Sequence, residues 1–165
     1  TAAGQLDVEL TEKGVAQAHA AGKRLVEQGI SIDTIFSSPL KRGYNTATII
    51  ANEIGYPVKD IVVDDALMER SLGTLQGKPL RLYSSMADFE RMDAGVESEE
   101  SMSRRIDDFF DRTSRLYPGV LLVVSHNGVG KRMLAKIQNQ PINEQAKLPN
   151  AEVIKLIAKS DKNNT

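Results

Sequence analysis

The chain has no cysteine and only two histidines. Without thiols it can build no disulfide framework, no zinc–thiolate site and no cysteine nucleophile, a composition that suits a reducing compartment. It has almost no net charge either: −1 at pH 7, from 21 basic and 22 acidic side chains. A nucleic acid or other large polyanion needs a clear basic excess in its partner, so any anion site here must be local. No apolar run approaches the length that spans a bilayer, and no signal-peptide pattern opens the chain. The expected location is the cytoplasm, with no membrane partner. Internal repeats and low-complexity linkers are missing too. The remaining balance, 41% hydrophobic and 26% charged, fits one globular domain over residues 1–165, with a frayed polar tail at 159–165.

Periodicity and punctuation then alternate helices with strands. Thr11 is positioned to cap a helix that Gly29 stops. ISIDTIF, residues 30–36, is a β-rich run. A second helix follows, with Ser38 as N-cap, Pro39 at its first position, and Gly55 and Pro57 beyond its end. IVV at 61–63 is a short strand; an acidic, glycine-containing loop covers 64–78 and a weaker helix about 79–92. Ser98, with Glu99 and Glu100, opens a helix that ends at Pro118-Gly119. GVLLVVS, residues 119–125, is a continuous apolar run, the pattern of a strand buried on both faces. NGVGKRMLAKIQNQ is the helix after it, and AEVIKLIA at 151–158 a last strand. The alternation predicts an α/β protein with a mostly parallel sheet and helices on both faces.

Ligands of such sheets bind beyond the carboxyl ends of the strands. That edge would gather Ser37, Ser38 and Arg42 from one strand end and His126 and Asn127 from another. A helix opening at Ser38-Pro39 offers unpaired N–H groups to an anion, and Arg42 lies one turn inside. Taken alone, SSPLKR reads first as a capped surface helix. SHNGVG, residues 125–130, puts His126 at a strand-to-helix turn, where a protonated ring would donate to a phosphoryl oxygen. The competing reading is a histidine that satisfies a loop carbonyl. GVGK is not a P-loop, because Ser125 stands where glycine is wanted and Arg132 where serine or threonine is. Glu69, in the loop after IVV, is a candidate general acid or a solvated loop residue. His19 reads as surface decoration, and Glu97, Glu99 and Glu100 as a helix start. No His, Asp or Glu spacing suggests a metal site. The natural anion for this set is a phosphomonoester.

Four blocks in order, GQLDVELTEKG, SSPLKRGYNTA, LMERSLGTLQGK and VVSHNGVGKRML, resemble the histidine phosphatase superfamily, also called phosphoglycerate mutase-like, over roughly residues 4–135. The resemblance implies a three-layer α/β/α sandwich, a phosphohistidine intermediate and no cofactor or metal. It implies Arg42 as a phosphate-binding arginine, Glu69 as proton donor and His126 as the second pocket histidine, which clamps the phosphoryl group without being phosphorylated. Asn127 stands where glycine is common, so only its backbone N–H carries over. Gly4 matches a loop glycine whose backbone approaches substrate in mutase members. The family's nucleophile belongs to an Arg-His-Gly motif on the first strand, and the chain contains no such motif. His19, between Ala18 and Ala20 in a helix, is no substitute. Residues 1–165 are therefore expected to lack that strand, and to be inactive alone.

The expected function is hydrolysis of a small soluble phosphate ester. The short connection between Glu69 and His126 leaves little chain for a water-excluding lid, which favours a phosphatase over a phosphoglycerate mutase. A catalytically inactive phosphate-binding or interaction domain is the third reading. Sheet edges left unpaired by a missing strand tend to associate, so a homodimer is an open expectation.

Overall fold

A computed structural model describes residues 2–142; the strand expected at 151–158 and the tail at 159–165 lie outside the described residues. The architecture is decided by two adjacent side chains. Successive residues of a strand face opposite sides of its sheet, and in β1 (Thr34–Ser37) Ile35 and Phe36 are 0% and 1% exposed. Ile35 packs with Ala21 and Leu25 of α1 (Glu12–Glu27) and with Ala47, Ile50 and Ala51 of α2 (Lys41–Ile54). Phe36 packs on the other face with Met102, Ile106 and Phe109 of α5 (Glu99–Leu116) and with Val129 and Met133 of α6 (Asn127–Gln138). Between α2 and α5 come β2 (Val62–Val63) and two short helices, α3 (Leu80–Ser85) and α4 (Asp88–Asp93). β3 (Leu121–Val124) connects α5 to α6. The strand order is β2-β1-β3 and both pairings are parallel. The result is an α/β/α sandwich with two separate apolar cores.

α1 and α2 approach closely because the seam is lined by small residues. A Cβ on Gly22 would fall 2.5 Å from Glu53 Cβ. His19 spans the same seam and pairs with Glu53, Nδ1 to Oε1 at 2.6 Å; it is a half-exposed helix–helix contact and not simple surface decoration. Thr11 and Ser98 cap α1 and α5, accepting from the N–H groups of Gly14 and Ser101. Gly55 ends α2 in the left-handed conformation, φ 72°.

Four local expectations change. Ser38 is not the N-cap of α2. Its N–H still donates to Val124 O in the ladder to β3, so the chain turns helical only at Lys41, whose N–H is capped by Asp7 Oδ1 at 2.7 Å. The strand of residues 30–36 begins only at Thr34. The helix expected over 79–92 is two helices, broken at Met86-Ala87, where the Glu90 carboxylate accepts from the Ala87 N–H. β3 is less buried than its composition suggests: Leu121, Leu122 and Val123 are only partly covered, and among the described residues β3 pairs with β1 alone.

Candidate active site

The parallel ladder places the ends of β1 and β3 side by side, and the Ser38 N–H to Val124 O bond of 3.0 Å fixes the two turns that follow. His126 enters from β3. Its Nε2 lies 2.8 Å from Ser38 Oγ, and its ring edge seats over Gly43, where an added Cβ would stand 3.6 Å from both Cε1 and Nε2. The loop after β2 is drawn to the same place, because Ser125 Oγ donates to Leu67 O at 2.7 Å. Glu69 therefore reaches α6, where its Oε2 accepts from the Gly128 N–H at 3.2 Å and its Oε1 from the Arg70 N–H at 2.9 Å. A carboxylate at a helix N-terminus meets both unpaired N–H groups and the positive end of the dipole.

Arg42 projects from the first turn of α2. Its Nη1 and Nη2 donate to the carbonyls of Leu6 and Gly4, both at 2.8 Å. Two of its N–H groups are thus committed to orienting it, and its planar fork keeps others for an anion. Gln5, between those carbonyls, donates from Nε2 to Glu69 O at 2.9 Å. The segment around Gly4 is in this way stitched to both Arg42 and Glu69. The Gly4 carbonyl is spent on Arg42, and Asn127 is the first residue of α6.

Arg42, Glu69 and His126 lie near enough to act on one another's charge. Burial lowers the pKa of Arg42, opposed by the charges of Glu69 and Asp7. Burial, followed by the charges of Arg42 and Arg105, pushes His126 down to about 3. Its ring is neutral at pH 7, which corrects the expectation of a protonated donor; it can donate only through whichever nitrogen carries its single proton.

The sequence reading missed Arg105. This α5 residue forms a two-pronged pair with Glu97, Nε to Oε1 at 2.7 Å and Nη2 to Oε2 at 2.9 Å, and its Nη1 donates to Ala66 O. Nothing in the α5 pattern marks it, because Glu97 precedes the helix cap and reads as part of an acidic start. A cavity of about 460 Å³ borders residues 64–68, lined by Gln5, Asp64, Met68, Glu97, Arg105 and Arg112 among others, but by none of Arg42, Glu69 and His126. Among the described residues no group of three or more His, Asp or Glu side chains gathers to hold a metal, and no helix is long and apolar enough to cross a membrane.

The family model of the histidine phosphatase superfamily (branch 1) matches residues 1–165. A 2,3-bisphosphoglycerate-dependent phosphoglycerate mutase from Methylobacterium sp. (strain 4-46) is 46% identical over 74 residues, 45% of this chain and 36% of that protein. The chain thus covers about a third of the length of that curated relative. Among solved structures, mycobacterial glucosyl-3-phosphoglycerate phosphatase superposes with a TM-score of 0.70 at 26% identity, over 86% of this chain and 74% of that one. The α-ribazole phosphatase from Shigella flexneri shares the fold, with a TM-score of 0.70 at 23% identity over 85% and 72% of the two chains.

Proposed function

The chain belongs to the histidine phosphatase superfamily, and on that premise we propose that it serves as a phosphomonoester hydrolase acting on a small soluble phosphate ester. One observation carries the reading: Arg42, Glu69 and His126, far apart in sequence, converge at the carboxyl edge of the sheet around the N-terminus of α6. Similarity to phosphatases of known structure supports hydrolysis.

The chemistry has two steps. A histidine attacks phosphorus while the ester oxygen leaves with the proton of Glu69. Water then gives a proton back to Glu69 and attacks the phosphohistidine, releasing inorganic phosphate and the free imidazole. The attacking histidine is the one the family resemblance implies in Arg-His-Gly, a motif residues 1–165 do not contain. What this chain's residues contribute is the clamp and the acid. Arg42 and the neutral His126 N–H meet the equatorial oxygens, where fixed donors do most of the work of phosphoryl transfer. Glu69 sits on an N–H of α6 and must release it to reach the leaving oxygen. No step requires a metal.

The test compares the 165-residue chain with the same chain carrying an Arg-His-Gly segment ahead of Thr1, each given a chromogenic phosphate ester in chelator. Phosphate release by the extended form, with none from the shorter one, is the expected result. No release from a folded extended form would refute the reading.

A second reading, phosphoglycerate mutase, is favoured by the strong local identity to a mutase. The two part on 3-phosphoglycerate: inorganic phosphate marks the hydrolase and 2-phosphoglycerate the mutase.

A further inference from the structure

We propose that Ser38 is a positioning residue that sets the tautomer of His126, so that the ring presents Nδ1–H to the substrate. The tautomer follows from hydrogen-bond accounting. The use made of it rests on the phosphomonoesterase reading.

A serine hydroxyl has one proton to give and two lone pairs to receive with. Ser38 is 0% exposed, so water is not available to complete its set. Its Oγ accepts from the Leu40 N–H at 3.3 Å and lies 2.8 Å from His126 Nε2. The neighbouring hydroxyl of Ser37 is turned away, donating to the Ser38 carbonyl at 3.0 Å. Suppose Nε2 carried the ring proton. Ser38 Oγ would then accept twice, and its own proton would be buried facing no acceptor. The arrangement is satisfied only if Ser38 O–H donates to a bare Nε2.

A neutral imidazole has one N–H, and the hydrogen bond at one nitrogen decides which carries it. With Nε2 occupied as acceptor, the proton resides on Nδ1, and among the described residues Nδ1 has no protein partner. The Cε1–Nε2 edge of the ring faces α2 at Gly43, where an added Cβ would stand 3.6 Å from both atoms. The consequence for chemistry is a sign. A bare nitrogen facing a phosphoryl oxygen repels it; an N–H attracts it. Ser38 thereby acts on the phosphoryl group through His126 without touching it.

The experiment is a long-range proton–nitrogen correlation spectrum of the imidazole rings in ¹⁵N-labelled chain at pH 7, with His19→Gln removing the other ring. The expected wild-type pattern is a protonated Nδ1 and a bare Nε2 on His126. Ser38→Ala removes the donor and moves the proton to Nε2; Ser38→Thr keeps a hydroxyl and restores Nδ1–H. In the extended, active form, Ser38→Ala lowers kcat roughly 10–100-fold with the fold intact, and Ser38→Thr recovers most of it. A wild-type ring protonated at Nε2, or at both nitrogens, overturns the proposal, as does an alanine variant that keeps Nδ1–H. The expected tautomers together with no ester hydrolysis in any variant would uphold the hydrogen-bond assignment and strike only the phosphomonoesterase reading.

Discussion

The carboxylate of Glu69 occupies space that a side chain at residue 128 would need. Gly128 donates its N–H to Oε2 at 3.2 Å, and a Cβ built on it would stand 2.6 Å from Oε1. The glycine in SHNGVG is thus a seat for the acid contributed by a loop 59 residues away.

Gly128→Ala should separate stability from activity. Alanine favours a helix over glycine by about 1 kcal/mol, so thermal unfolding should shift little. In the form extended with the Arg-His-Gly segment, the displaced carboxylate should lower kcat by roughly 10–100-fold, as for a mispositioned general acid. Melting curves and steady-state rates on the same preparation decide it; an unchanged kcat would show that Glu69 does not act from this pose.

Arg42 is held by two carbonyls before any substrate arrives, which makes lysine a poor replacement. In the extended form, Arg42→Ala should cost about 3–4 kcal/mol in kcat/KM, the scale of a lost transition-state donor. Arg42→Lys should recover little, because one ammonium cannot bridge Gly4 O and Leu6 O and still fork onto an anion. Full activity in the lysine variant would contradict the clamp.

His126 should make the fold sensitive to acid. Its folded pKa lies below the ordinary 6.5, at about 3, so the unfolded chain takes up the proton first. Stability is therefore unaffected by this group above pH 6.5 and falls as pH drops from there towards 3, by up to about 1.4 kcal/mol per pH unit. His126→Gln should remove that component. Urea midpoints of both proteins, taken from pH 7 to pH 4, should diverge in favour of the variant as pH falls.

The pair of Arg105 and Glu97 has side chains only 19% and 12% exposed. Removing one partner strands the other, so Glu97→Ala should destabilise by about 3–5 kcal/mol, whereas Glu97→Ala with Arg105→Met should lose distinctly less. Equal losses in urea unfolding would mean that the stranded charge is not the cause.

Much of this fold can be read from local chemistry. Thr11, Ser98 and Gly55 act on their own helix ends, and adjacent Ile35 and Phe36 in a short β-rich run can satisfy themselves only with a layer on each face. The order of strands and helices brings SSPLKR, LMERSLG and SHNG to one edge, because parallel strands end together. The caps of α1 and α5, the stop of α2 and the strand alternation involve residues a few positions apart, so the sequence alone determines them.

Tertiary structure decided which atoms face which. It gave the cap of α2 to Asp7, turned the Ser38 hydroxyl to His126 across 88 positions, and made that histidine neutral by burying it beside Arg42 and Arg105. It also joined Arg105 to Glu97 and laid Glu69 over Gly128. A polar side chain's charge and hydrogen-bond role depend on the solvent it loses and the partners it meets. Both are set only when distant segments pack, and no pattern along the chain encodes them.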